Sequence, residues 1–179
     1  MNLASAFQAR RLAAPVTLTV AALCWCAAAA APAMLPGFGW PAGAAVLRAA
    51  FSLVCHQDPA RSFHLEGSPL AVCIRCTGIY AGFVLGCIAV LAARSWGRVD
   101  GAPRGRLLAA CMAPTAIEWL AELAGLPDPT GLARLTTGAL FGFAAAFYVV
   151  HAAEELPAEM AAELHRLTSP ARSAHGKAS

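Results

Sequence analysis

Four apolar runs, Val16–Leu35, Leu70–Ala93, Leu107–Leu126 and Leu132–His151, hold between them only four charged side chains: Arg75, Glu118, Glu122 and Arg134. Each run reaches the ~20 residues that a helix needs to cross the hydrocarbon core of a bilayer. In lipid every backbone N–H and C=O must be satisfied inside the structure, so runs of this kind are read as helices. The predicted fold is all-α: a small polytopic membrane bundle of about four transmembrane helices plus a short interfacial or re-entrant helix. Composition agrees, since 13% of residues are charged where a soluble domain carries about 25%.

The expected organisation is a cytoplasmic lead over 1–15, a single transmembrane domain over 16–152 and a cytoplasmic tail over 153–179. The tail is expected to be disordered from 168 onward on its Ser, Ala and Gly content. Val16–Leu35 has the basic start and small-residue end of a signal peptide, but three further apolar runs follow it, and it is read as a retained helix. Pro36-Gly-Phe-Gly-Trp-Pro41 punctuates the chain. Ala42–Val54 then has helical periodicity, is too short to span, and delivers Cys55 and His56. Arg61–Pro69 is read as a polar connector. Gly78, Gly82 and Gly86 share one helix face, as do Gly138 and Gly142, and such faces let helix backbones approach closely.

Chemistry concentrates between Cys55 and Cys76. Of seven cysteines, Cys24, Cys26, Cys87 and Cys111 lie in apolar runs and are read as small buried hydrophobes. Cys55, Cys73 and Cys76 sit among polar residues. Cys73-x-x-Cys76 with Cys55 and His56 supplies the donors of a Cys3His transition-metal site, zinc-like in type, with His64 as a substitute ligand. The same atoms support a membrane thiol–disulfide exchanger using Cys73 and Cys76 with Cys55, because a Cys-x-x-Cys at a helix start beside Arg75 favours the thiolate. They also support a structural disulfide in a non-catalytic subunit. Covalent c-type haem is excluded, since Thr77 stands where that motif needs histidine. No nucleotide motif is present. Whether the chain is an enzyme stays open at this stage.

Arg61, Arg75, Glu118, Glu122 and Arg134 form the expected polar backing of the site. Glu118 and Glu122 lie on one helix face, and ionisable groups in a membrane usually pair with one another. The net charge of +3 is small and spread over loops, which argues against nucleic acid. The bilayer is the expected partner, with a membrane protein or a second copy of the chain as further options.

Cys55-His56-Gln57, Pro59, Arg61-Ser62-Phe63, Gly67, Pro69 and Cys73-x-Arg75-Cys76-Thr77-Gly78-Ile79-Tyr80-x-Gly82 resemble an uncharacterised prokaryotic membrane-protein family, domain of unknown function 2085. Pro114, Glu118 and Arg134-x-x-Thr137-Gly138 resemble its later pattern. Glu118 stands where the family usually has aspartate, Glu122 where it has glutamine, and Gly131 where it has asparagine. The resemblance implies a small helical membrane bundle and carries no activity.

Arg10, Arg11, Arg94, Arg98, Arg104, Arg106, Arg166, Arg172 and Lys177 fall on one side of a four-span chain, and only Arg48 and Arg61 fall in loops on the other. By the positive-inside rule both termini are cytoplasmic and Cys55–Cys76 is extracytoplasmic, in a multi-pass cell-membrane protein. Reporter fusions after Arg61 and after Gly101 should read outside and inside respectively. The opposite readings would overturn this topology.

Overall fold

The computed structural model describes residues 3–96 and 105–168, with side chains over 12–96 and 105–155. The side chains of Arg10, Arg11 and Arg166, the loop residues Arg98 and Arg104, and the expected disorder of the tail beyond residue 168 lie outside that description.

Among the described residues five α-helices and one hairpin follow in order: α1 Leu3–Met34, α2 Pro41–Phe51, β1 Ser62–Leu65, β2 Ser68–Cys73, α3 Ile74–Ser95, α4 Gly105–Leu123 and α5 Gly131–Thr168. Three helices are long and apolar enough to cross a membrane, over Leu12–Phe38, Ile74–Ser95 and Gly131–Glu155. The remaining long helix, α4, has 19 residues, about 28 Å at 1.5 Å per residue. It carries Arg106, Glu118 and Glu122, which lowers its hydropathy below that of the other three. About four membrane-length helices are therefore present among the described residues, α4 the least apolar of them.

The hairpin corrects the reading of 61–69 as a plain connector and of Leu70 as the start of a span. Strand β1 pairs antiparallel with β2, Ser62 opposite Cys73 and Leu65 opposite Ser68. Glu66 and Gly67 turn the chain with φ of 51° and 80°, the doubly positive geometry that suits a two-residue hairpin. Ala71 and Val72 point to opposite faces of β2, yet both are buried. An apolar tetrapeptide running straight into an apolar helix leaves no composition break, which is why Leu70–Cys73 reads as helix from sequence.

Helices α3 and α5 run parallel with their backbones in contact. Gly78 faces Leu135 and Ala139, Gly82 faces Ala139, and Gly86 faces Phe143 and Ala146. From the other side Gly138 faces the Arg75 carbonyl, and Gly142 faces Ile79 and Phe83. The two glycine rows interlock. At the far end Arg94 grips Glu154 with two contacts, Nη2 to Oε2 at 2.9 Å among them, and Cys87, Val90, Ala146 and Val150 form a buried apolar cluster.

Helix α4 packs against α5. Its C-terminal end meets the starting ends of α3 and α5, because Glu122 reaches both Arg75 and Arg134. On the opposite flank of α3, α1 covers the hairpin and the start of α3, burying Ala29 beside Phe51, Ala71 and Val72.

A Cβ on Gly82 would overlap the backbone of Ala139, whereas one on Gly37 would meet nothing within 4 Å. Gly82→Leu should therefore destabilise the bundle by more than the roughly 1–3 kcal/mol of ordinary overpacking, because rigid backbone cannot yield. Gly37→Leu should be near neutral. Equal yields of folded protein for the two variants would show that the glycine face is not a packing surface.

Candidate metal centre and its charged neighbour

Three chain segments deliver the thiols to one point. Proline at the start of α2 suits the helix N-terminus, where a missing N–H is harmless. The helix closes over Ser52, and Cys55 N–H still bonds the Phe51 carbonyl at 3.0 Å. Gln57, at φ 55°, swings its side chain back to the Arg48 carbonyl at 2.7 Å. Arg48 in turn donates to the Pro69 carbonyl at 2.6 Å. The end of α2 is thereby tied to β2, and Cys55 is held against Cys73.

Cys73 ends β2 and caps α3, with an extended backbone at φ −71° and ψ 165°. Cys76 follows in the first turn of the helix. The sulfurs of Cys55, Cys73 and Cys76 all lie within 4.8 Å of one another. Cys55 is buried and the other two are half-buried. Cys73 N–H donates to Cys55 Sγ at 3.2 Å. The site is walled by Ala28, Ala29, Phe51, Ala71, Val72 and Tyr80. Trp25 closes the wall edge-on to Phe51 and Tyr80, with centroids at 4.9 and 6.0 Å.

The side-chain hydrogen bond from Cys76 holds the Cys73 thiol far below the ordinary thiol range, to about 5, against the opposing effect of burial. Cys73 is thus a thiolate at neutral pH, and is protonated only as the pH falls through about 5. Thiolate is the form that binds metals and attacks disulfides.

His56 and His64 are exposed, and neither belongs to the thiol group. His56 follows Cys55 directly, and adjacent side chains do not converge easily on one point. His64 lies on β1 opposite Pro69.

The charged residues sit back to back with the thiols rather than beneath them. Cys76 and Tyr80 pack toward the α1 side of α3. Arg75, about 100° further round the helix, faces α4 and α5. Its Nη2 lies 3.3 Å from Glu118 and 3.2 Å from Glu122. Arg134, 5% exposed, contacts Glu122 at 2.5 Å and Asp128 at 3.3 Å. Arg61 adds Asp128 at 2.6 Å, Glu122 at 3.6 Å and Asp58 at 3.4 Å. The Thr137 hydroxyl bonds Glu118 at 3.1 Å. Three arginines meet Glu118, Glu122 and Asp128, so the inner part of the network is charge-balanced. Asp128 and Asp58 were not singled out from sequence. The signal for Asp128 was there, as the sole acid of the turn between α4 and α5.

A double-mutant cycle on Arg134→Ala and Glu122→Gln should show coupling of roughly 0.5–3 kcal/mol, since removing the arginine alone takes from Glu122 the nearest of its three arginine partners. Strict additivity of the two changes in thermal stability would show that the pair does not interact.

Comparison with known proteins bears on this region. No solved structure matches the chain. An uncharacterised protein of Methanocaldococcus jannaschii is 36% identical over 106 residues, 58% of this chain and 66% of its own length. An uncharacterised protein of Methanothermobacter thermautotrophicus is 33% identical over 89 residues, 49% of this chain and 77% of its own. The chain thus spans about two thirds of the first relative. The family model described as "Predicted membrane protein (DUF2085)" matches residues 55–148, opening on Cys55 and enclosing the thiols and the charged network through Arg134. This chain belongs to the DUF2085 family of membrane proteins.

Proposed function

We propose that Cys55, Cys73 and Cys76 hold a transition-metal ion, zinc-like in its preference for sulfur, at the membrane surface. The convergence of three sulfurs from three segments is the observation that carries this reading. At a Zn–S distance of about 2.3 Å, tetrahedral geometry asks for sulfurs about 3.8 Å apart. A spacing within 4.8 Å needs only side-chain rotation to close on an ion. Cys73 is already ionised at neutral pH, so fewer protons have to leave when metal binds. Three protein thiolates leave the fourth corner for His56, after rotation, or for an external ligand. An open corner is the mark of a site that acts on or passes on what it binds, as distinct from a closed structural site.

In this reading the thiol site is extracytoplasmic, both termini are cytoplasmic and residues 16–152 form one domain in the cell membrane. The arginine distribution supports that orientation. A second copy or a membrane-protein partner would meet the site on the same side.

A second reading is favoured by the low-lying Cys73 thiol. A thiolate beside two further sulfurs can exchange disulfides, Cys73 attacking and Cys76 or Cys55 resolving.

Elemental analysis of the purified chain separates the two. The metal reading expects about one ion per chain, thiols that resist alkylation until a chelator removes it, and lower thermal stability afterwards. Cys55→Ser, Cys73→Ser and Cys76→Ser should each lose the ion, while His64→Ala should keep it. Metal-free protein of unchanged stability, with Cys76→Ser trapping Cys73 in a mixed disulfide, would replace the metal reading by thiol exchange.

A further inference from the structure

Which ion the three sulfurs suit is decided by what surrounds them. Cys55, Cys73 and Cys76 converge from three directions: the exit of α2, the end of β2 and the first turn of α3. Among the described residues no nitrogen or oxygen donor joins that group. His56 and His64 are exposed. The nearby carboxylates are committed elsewhere. Asp58 accepts from Ala60 N–H at 3.0 Å and pairs with Arg61. Glu118, Glu122 and Asp128 are held by Arg75, Arg134 and Arg61 on the other side of α3. The donor set is sulfur alone.

Ligand number then separates the candidate ions. Zinc is almost always four-coordinate in structural sites, and a zinc with three protein ligands keeps a water or substrate in the remaining corner. A buried water asks for two to four polar partners. The side chains of Ala29, Phe51, Ala71 and Val72 offer it none, and Tyr80 offers a single hydroxyl. Thiolate ligands also select soft ions, cuprous copper among them. That ion is monovalent and closed-shell, is satisfied by three sulfurs, and carries little hydration into an apolar wall. Cys73 stands at the N-cap of α3 with no capping bond from its side chain, so the thiolates meet the positive end of the helix dipole.

We propose, resting on the metal reading above, that the site binds one monovalent copper ion with Cys55, Cys73 and Cys76 as its whole shell and no histidine. The ion passes on by ligand exchange with a partner's thiol. The incoming sulfur bonds to copper as one protein sulfur leaves, and the departing sulfur takes the proton that the incoming thiol gives up. Copper stays monovalent throughout.

The test uses the full chain in nanodiscs, reduced and kept anaerobic, and loaded with Cu(I) from its bicinchoninate complex. X-ray absorption on the loaded protein should show a first shell of three sulfurs with no nitrogen or oxygen. Cys73 and Cys76 should react with N-ethylmaleimide in the metal-free protein and be protected once copper is bound. An excess of Zn(II) should not displace the copper. His56→Ala, at an exposed position, should leave the affinity in bicinchoninate competition unchanged. Loss of a true ligand would cost at least the roughly 10–100-fold that an outer partner is worth. None of these readouts needs a cysteine variant to fold. A shell containing nitrogen or oxygen, a His56→Ala loss of that size, or displacement by Zn(II) would overturn the cuprous assignment while the broader metal reading stands. A chain that takes up neither copper nor zinc with its thiols reduced would overturn both.

Discussion

Backbone-to-backbone contact between α3 and α5 is the constraint on which the rest of the structure depends. Two membrane helices gain nothing from hydrophobic burial against each other, since lipid is as apolar as their side chains. What remains is close van der Waals contact, and that needs small residues at every crossing turn. Gly78, Gly82 and Gly86 on one helix and Gly138 and Gly142 on the other meet the need from both sides. Once this pair is locked, the rotation of α3 about its own axis is set. Cys76 and Tyr80 must then face α1, and Arg75 must face α4.

That rotation explains why so much charge is tolerated. Arg75 and Arg134 emerge from the starting ends of the two locked helices, close enough for one carboxylate, Glu122, to serve both. Charges in a membrane interior are stable only when paired and bonded, and a glutamate at this point relieves two arginines at once. Its neighbours Glu118 and Asp128 restore the balance, and Thr137 adds a hydroxyl to Glu118. Helix α4 is held by this polar seam as much as by its apolar face, which suits its lower hydropathy.

Much of this was legible in the sequence because its causes are periodic. Apolar runs of bilayer length, glycines at four-residue spacing and carboxylates one turn apart are all patterns of a single helix, and Gly82 or Glu122 can be read from its own neighbours. Long-range pairings were less visible. The hairpin hides because Leu70–Cys73 is apolar on both faces, and its one clear mark, Glu66-Gly67, is a short turn in a polar stretch. The rotation of α3 was also hidden. Cys76 and Arg75 are adjacent in sequence, and only the identity of the partner helices separates their environments. His56 shows the reverse difficulty: a good ligand type directly beside a thiol, exposed while Cys55 takes the inward direction.

The bond from Cys73 N–H to Cys55 Sγ spans 18 residues, and everything between them, the exit from α2 and the hairpin, forms a closed lobe outside the glycine-locked pair. A covalent bond between the Cys55 and Cys73 sulfurs, which a hydrogen bond does not replace, would restrict the unfolded chain by about 3 kcal/mol of entropy for a loop of this size. The molecule therefore has two separable tiers of rigidity. One is fixed by helix contact and is insensitive to chemistry. The other is a lobe held by side chains reaching across it, Gln57 to Arg48 and Arg48 to Pro69, around the point where three sulfur atoms converge.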